Sequence, residues 1–206
     1  MAAACEATIN DLLLATCSGA LRQYLAGHHE LPKRSLVAAV PLSLRESGES
    51  AAGNQVTMLP CPLGTDQKTP RARLAAIQAG MTKVKGTKSS FRDLIPTDYP
   101  SLGSPWLMSG LAQLYARTRL ADRIPLPANL VISNVPGPPV TLYLAGARMT
   151  TYFPVSIVVH GLALNITVHS YDGKLHLGLI ACRKNVPDLP KLVAALYESF
   201  DELKAM

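Results

Sequence analysis

Residues 27–34 read GHHELPKR. Two adjacent histidines and a glutamate are chemically suggestive in three ways. Imidazole takes and returns a proton near neutral pH, so the pair could serve acyl transfer. Histidine and carboxylate could hold a metal, but that needs a third or fourth ligand, and neighbouring side chains rarely chelate one ion together. Glu30 does not complete such a set. The third reading is the polar end of a helix. The other reactive side chains are cysteines 5, 17, 61 and 182. None forms a C-x-x-C pair, so neither a zinc knuckle nor a redox motif is indicated, and reduced thiols are the simple reading.

The preceding residues favour the helix end. Thr8 can cap a helix, and Asp11 stands three residues on, where a carboxylate answers the cap and suits the positive pole. Ile9, Leu13, Cys17, Ala20 and Tyr24 recur at helical spacing, and Gly27 is a natural stop. His28 and His29 then fall just past a C-terminus, where positive charge is welcome.

Farther along, Leu36–Leu44 reads as a buried strand and Glu46–Gly53 as a polar loop. Gln55–Leu63 reads as a strand pushed to an edge by Pro60 and Pro62. Thr69-Pro70 opens a second helix with Leu74, Ile77, Met81 and Val84 inward. Its charges include Arg71, Arg73, Lys83, Lys85 and Lys88. Arg92–Gly103 is irregular, and Ser104–Ala121 is a third helix with Leu107, Leu111 and Leu114 inward. Asn129–Ser133 is a short strand entering NVPGPP. Arg148–Phe153, Ala163–Ser170 and Lys174–Ala181 read as strands, the last two joined by the hairpin signal Tyr171-Asp172-Gly173. Asp188 caps a final helix with the stripe Leu192, Leu196, Phe200 and Leu203. This order argues one α/β domain with a mixed, partly antiparallel sheet and flanking helices.

Nearly half of the 206 residues are apolar, enough to bury a core. The formal charge of +6 comes without a Lys/Arg block, so nucleic acid is not an expected partner. Acidic lipid surfaces and phosphorylated small molecules fit as well. The N-terminus lacks the basic-then-apolar pattern of a signal peptide. Val155–Val168 is too short for a membrane span and carries His160, Gly161 and Asn165. A cytoplasmic chain is expected, at most peripheral at a membrane or lipid droplet.

Asn129–Leu196 carries SNVPGP, LYLAGAR, PVS…HG…LNITV, SYDGKL and NVPD in order. It closely resembles the C-terminal region of the bacterial wax ester synthase/diacylglycerol acyltransferase family. ATINDLLLA resembles that family's Asn-Asp helix, and SLVAAVPLSLR with GNQV its next strands, so the likeness covers nearly the whole chain. The resemblance implies a chloramphenicol acetyltransferase-like, CoA-dependent acyltransferase fold. Residues 1–206 would be a single C-terminal-type domain. The N-terminal domain with the catalytic His-His-x-x-x-Asp-Gly motif would be absent from this chain. His29 is followed four residues later by Lys33, not Asp, and then by Arg34, not Gly. The segment also follows the Asn-Asp helix, which the motif precedes in the family. His28-His29 is therefore a coincidence of letters, and no catalytic residue is expected here.

Implied partners are long-chain acyl-CoA as co-substrate, a fatty alcohol or diacylglycerol, and an N-terminal half or intact family member; no cofactor is implied. A thioester-dependent acyl transfer needs a base, oxyanion donors and a tunnel. This domain would lack the base. Asn10 and Asp11 would border the channel, Asp11 equally well capping its helix. Ser133 and Asn134 end a strand at a turn fixed by Pro136-Gly137-Pro138, where Gly137 can take a positive φ. They would position substrate or support the oxyanion, or simply shape a crossover. Gly161 could admit close substrate approach. For His160 and Asn165 a structural role is the better reading, and His169 reads as a surface residue. Arg71, Arg73, Lys83 and Lys85 could meet CoA phosphates or lipid headgroups, or line a solvated face. Cys182 stands where the family more often has an acidic residue, which leaves Arg183 without its expected neighbour. A non-catalytic acyl-CoA-binding, lipid-binding or dimerisation module is the alternative.

Overall fold

The computed structural model describes residues 5–43, 56–86, 127–159 and 161–206, with residues 110 and 113. Helix α1 spans Ile9–Gly27. Thr8 Oγ1 accepts the Asp11 amide at 3.1 Å, and the Asp11 carboxylate accepts the Thr8 amide at 3.0 Å. This reciprocal cap satisfies two of the amides a helix start leaves over. Strands β1 (Val37–Ser43) and β2 (Val56–Pro62) follow, then helix α2 (Pro70–Gly86). Strand β3 is Leu130–Val135. A small hairpin joins β4 (Tyr143–Leu144) to β5 (Ala147–Arg148). Strands β6 (Leu164–Tyr171) and β7 (Lys174–Ala181) precede helix α3 (Leu189–Lys204). The expected helix Ser104–Ala121, the loop Glu46–Gly53 and the connection Arg92–Gly103 lie essentially outside the described residues.

The main sheet runs β2-β1-β3-β6-β7. β1, β3 and β6 are mutually parallel, while β2 and β7 pair antiparallel at the two edges. Pro60 and Pro62 thus sit on an edge strand, where a missing amide does least harm. Asp172 (φ +47°) and Gly173 (φ +74°) make the tight turn between β6 and β7. Two successive positive φ values are what a two-residue antiparallel hairpin requires.

Strand alternation sends Ala38, Val40, Leu130, Ile132, Leu164, Ile166 and Val168 to one face. There they meet Leu12, Leu14 and Cys17 of α1, Leu74, Ile77 and Met81 of α2, and Leu192, Leu196 and Leu203 of α3. Helix α1 contacts both α2 and α3. No helix among the described residues is long and apolar enough to cross a membrane.

Two expectations need correction. Phe200 is 44% exposed. The buried face of α3 follows Leu192, Ala195, Leu196, Ser199 and Leu203, and Phe200 stands about 80° round the helix from Leu192. The strand expected over Arg148–Phe153 is only Ala147–Arg148, paired back to β4. From residue 149 to 158 the chain joins no ladder and instead crosses the second face of the sheet as a strap.

Candidate functional site

That second face is built from the alternate residues of the same strands. Register places Val131 beside Asn165, Ser133 beside Thr167 and Val135 beside His169, then Thr167 opposite Gly178 and His169 opposite His176. The polar residues therefore share one face, with Ser133 among them. Asn134 pairs with Val168, which faces the helices. The two members of the Ser133-Asn134 motif are thus divided between opposite faces by the two-residue period of a strand.

The strap is pinned at three levels. The Tyr171 hydroxyl, on a side chain 1% exposed, donates to the Met149 carbonyl at 2.8 Å and accepts the Leu142 amide at 2.9 Å. Asp172 accepts from Thr141 Oγ1 at 3.0 Å and pairs with Arg148 at 3.4 Å. These bonds fix the β4–β5 hairpin against the β6–β7 turn. Next, Tyr152 meets His169 edge-on with ring centroids 4.3 Å apart, and Phe153 meets His176 edge-on at 5.6 Å. A Cβ on Gly178 would stand 1.8 Å from the Pro154 carbonyl oxygen, so only glycine lets the strap pass so close. Last, Asn165 Nδ2 donates to Ser156 Oγ and to the Ile157 carbonyl, both at 3.0 Å, while its Oδ1 accepts from Thr167 at 2.9 Å. Both amide protons are thereby used, which fits a structural Asn165.

Pro154 and Ser156 turn toward the sheet, and Val155 and Ile157 turn outward. Val155 is 82% exposed and Ile157 71%. Tyr143 and Leu144 at the hairpin tip are exposed as well. Large apolar side chains are thus exposed along both the strap and the hairpin.

Gly137 packs against the end of β6. Its amide donates to Ser170 Oγ at 2.9 Å, and a Cβ there would fall 2.1 Å from both the His169 ring and the Ser170 carbonyl. Gly137 is not among the positive-φ glycines. Its glycine is required by close approach, not by the left-handed turn expected from the sequence. His169 is consequently half-buried, not a free surface residue. Gly161 is exposed at φ +85° in a turn closed by the Leu162 amide on the Val159 carbonyl at 3.0 Å. His160 lies outside the described residues.

Asp11 is 7% exposed and its Oδ2 also receives the Thr8 hydroxyl at 2.7 Å. Burial, and then the charge of Asp11, push the Cys61 thiol up to about 11. Asn10 is half-buried beside it. Of the α2 cations, Arg71 and Lys83 are exposed, and the Lys85 side chain lies outside the described residues. Arg73 is a correction: it is 3% exposed, its guanidinium on Glu202 at 3.2 Å and on the Lys68 carbonyl at 3.0 Å. It faces the α2–α3 contact and is not presented to a surface anion. His28 is half-buried against Tyr24, with Nε2 3.7 Å from Asp188; His29 is exposed at φ +57°.

Sequence reasoning treated Ser170 only as a strand residue and Tyr171 only as part of a hairpin turn, and missed Ser156 as a strap anchor. The signal was present in β6, where Asn165, Thr167, His169 and Tyr171 alternate with Leu164, Ile166 and Val168. Such a strand has one apolar cover and one polar one.

The mixed five-stranded sheet, with α1, α2 and α3 on one face and a crossing strap on the other, has the CoA-dependent acyltransferase fold. A wax ester synthase/diacylglycerol acyltransferase from Marinobacter aquaeolei VT8 superposes with a TM-score of 0.75 at 32% identity, over 99% of this chain and 44% of that one. The epimerization domain of the third module of tyrocidine synthetase B shares the fold at a TM-score of 0.52 and 13% identity, covering 97% of this chain and 43% of that one. The chain belongs to the WS/DGAT C-terminal domain family, which matches residues 52–204. An O-acyltransferase WSD of Acinetobacter baylyi is 41% identical over 93% of the chain. The chain spans 40% of that relative's length.

Proposed function

We propose that the chain is the C-terminal part of a long-chain acyl-CoA-dependent O-acyltransferase that forms triacylglycerol or wax esters. It acts only together with a portion carrying the His-His-x-x-x-Asp-Gly base. The observation that carries this reading is the apolar ribbon of Val155 and Ile157, turned outward on a strap that is fastened across the polar face of the sheet. In this reading the ribbon docks the other portion, and the acyl chain runs between the two. Ser133 and the Gly137 turn position substrate or support the oxyanion, and Gly161 permits its approach. Asn134, on the helix side, acts through the turn and not by contact. Asn10 borders the channel, while Asp11 holds the helix start that presents it. Arg71, Lys83 and Lys85 offer cations to CoA phosphates or to a membrane or lipid-droplet surface.

The test pairs the purified chain with a purified N-terminal portion of the Marinobacter relative. Thiol release from palmitoyl-CoA is followed with hexadecanol or a diacylglycerol as acceptor. The chain alone is expected to be silent and the pair to turn over, with Ser133→Ala slowing the pair. Saturable ester formation by the chain alone would sink this reading. A pair that associates and binds acyl-CoA without turnover would make the chain a binding module.

A further inference from the structure

The strap is clamped near its two ends and rests on rings between them. Tyr171 holds the Met149 carbonyl, and Asn165 holds Ser156 and the Ile157 carbonyl. Among the described residues no hydrogen bond ties residues 150–155 to the sheet. There Pro154 lies on Gly178, Tyr152 on His169 and Phe153 on His176. The two histidines are register partners across the β6–β7 pair, so they project side by side from the strap face. Side chains opposed in this way have Cβ atoms about 5 Å apart.

The two rings are not equally provided for. His169 is half-buried, and its Nδ1 lies 3.0 Å from the Ser170 carbonyl, an acceptor for an N–H. His176 is 7% exposed, and its Nε2 is buried without a hydrogen-bond partner among the described residues. A neutral imidazole leaves one nitrogen without a proton; a charged one carries N–H on both. Charging His176 therefore puts a buried proton where there is no acceptor for it. Nothing facing the ring offsets that charge. From β6 it meets His169 and the Tyr171 ring, whose centroid is 6.2 Å away. On β7, strand alternation puts Lys174 on the same face. The strap contributes Phe153, which is apolar, and Tyr152, which is on His169. The Asp172 carboxylate is taken by Thr141 and Arg148. With both histidines charged, two like charges stand directly opposite, which weakens a strand pair.

We propose that this pair makes the strap acid-sensitive: a second proton on His176, next to a charged His169, lifts residues 150–155 off the sheet. Water offers the new N–H an acceptor and the seat does not, so falling pH favours the released strap. The ribbon of Val155 and Ile157 then loses its fixed position. The acyl-transfer reading does not require this behaviour. Its test uses neither CoA nor a second polypeptide, so the two proposals fail separately.

The isotopically labelled chain is followed by nuclear magnetic resonance from about pH 8 to about pH 5, the range in which histidine changes charge. Backbone order parameters at residues 150–155 are expected to fall from about 0.85 to below about 0.6. Ring-to-ring Overhauser contacts between Phe153 and His176 should vanish over the same interval. The amides of Ile132 and Ile166 should stay ordered. His176→Phe keeps an aromatic ring against Phe153 and cannot take the proton, so its strap should stay ordered throughout. Should that variant not fold, the native ring decides: the titration of the His176 Cε1 proton and the loss of strap order should share one midpoint. A strap that stays ordered while His176 titrates overturns the proposal, and so does release that survives His176→Phe. A strap that tightens in acid, as a cation over the Phe153 face would make it, overturns it too. Equal loss of order at Ile132 and Ile166 does the same, because acid would then be unfolding the whole chain.

Discussion

The helix-covered face of the sheet and the strap-covered face are held by different physics. On the helix side, Leu14, Ile77, Ile132, Ile166 and Leu192 are essentially inaccessible, and hydrocarbon meets hydrocarbon. On the strap side the chain is fastened by the Asn165 amide, the Tyr171 hydroxyl and two places where a Cβ would not fit. The first arrangement supplies stability, because burial free energy scales with area. The second supplies shape, because directional bonds and close contacts fix where the strap lies. A substitution on the helix side should therefore weaken the whole fold. One on the strap side should change local order more than global stability.

The sharpest form of the contrast compares Ile166 with its neighbour Asn165. Ile166→Ala removes a fully buried side chain between β6 and the helices, and is expected to lower stability by about 2–5 kcal/mol. Urea titration followed by far-UV circular dichroism measures this. A loss below about 1 kcal/mol would mean that the helix face is not the stabilising one.

Next in size is Gly178→Ala. The new methyl would overlap the Pro154 carbonyl at 1.8 Å, so strap or strand must move. Overpacking of this kind costs about 1–3 kcal/mol. The strap is the weaker partner because no ladder holds it. Amide exchange at residues 150–158 should accelerate while that of Ile132 and Ile166 stays slow. Equal acceleration on both faces would break the distinction.

Asn165→Ala is expected to be milder, about 1–2 kcal/mol, since it removes two strap bonds and leaves the Ile157 carbonyl near solvent. Faster exchange should be confined to residues 156–158. In the paired assay proposed above, turnover should fall further than stability does, because the ribbon loses its fixed position.

These contrasts also explain what could be read in advance. Thr8-Ile-Asn-Asp11, the Tyr171-Asp172-Gly173 turn and the edge prolines encode their structure within a few residues, and they are found as expected. Arg148–Phe153 reads as a strand because its composition is strand-like, yet pairing is a long-range matter. Its actual course depends on Tyr171, 22 residues beyond the Met149 carbonyl it holds. Arg73 counts as a surface charge until Glu202, 129 residues away, takes it. Ser133 and Asn134 read as one motif because adjacency in sequence hides the alternation that separates them. Gly137 invites a turn conformation, whereas the side chain that excludes a Cβ there belongs to another strand. Local capping is legible; which face receives the strap is not.

The smallest effect separates two helix starts that look alike in sequence. Thr8 and Asp188 both precede a helix, but only Thr8 makes a side-chain cap. Thr8→Ala should cost about 1 kcal/mol. The Asp188 carboxylate is turned to Lys191 and His28 instead. The hydrogen bond from Lys191, and then its charge, hold Asp188 below the usual carboxylate range. A lowered folded-state value means that any stabilisation is present above the unfolded value and is lost as pH falls through the folded one. The pair is exposed, so solvent screens it and the loss should be slight. Asp188→Asn should leave the urea midpoint at pH 7 unchanged within error and flatten what acid dependence the His28–Asp188–Lys191 contact contributes. If it matched Thr8→Ala in size, a side-chain cap would have to form in solution, and the two helix starts would be equivalent after all.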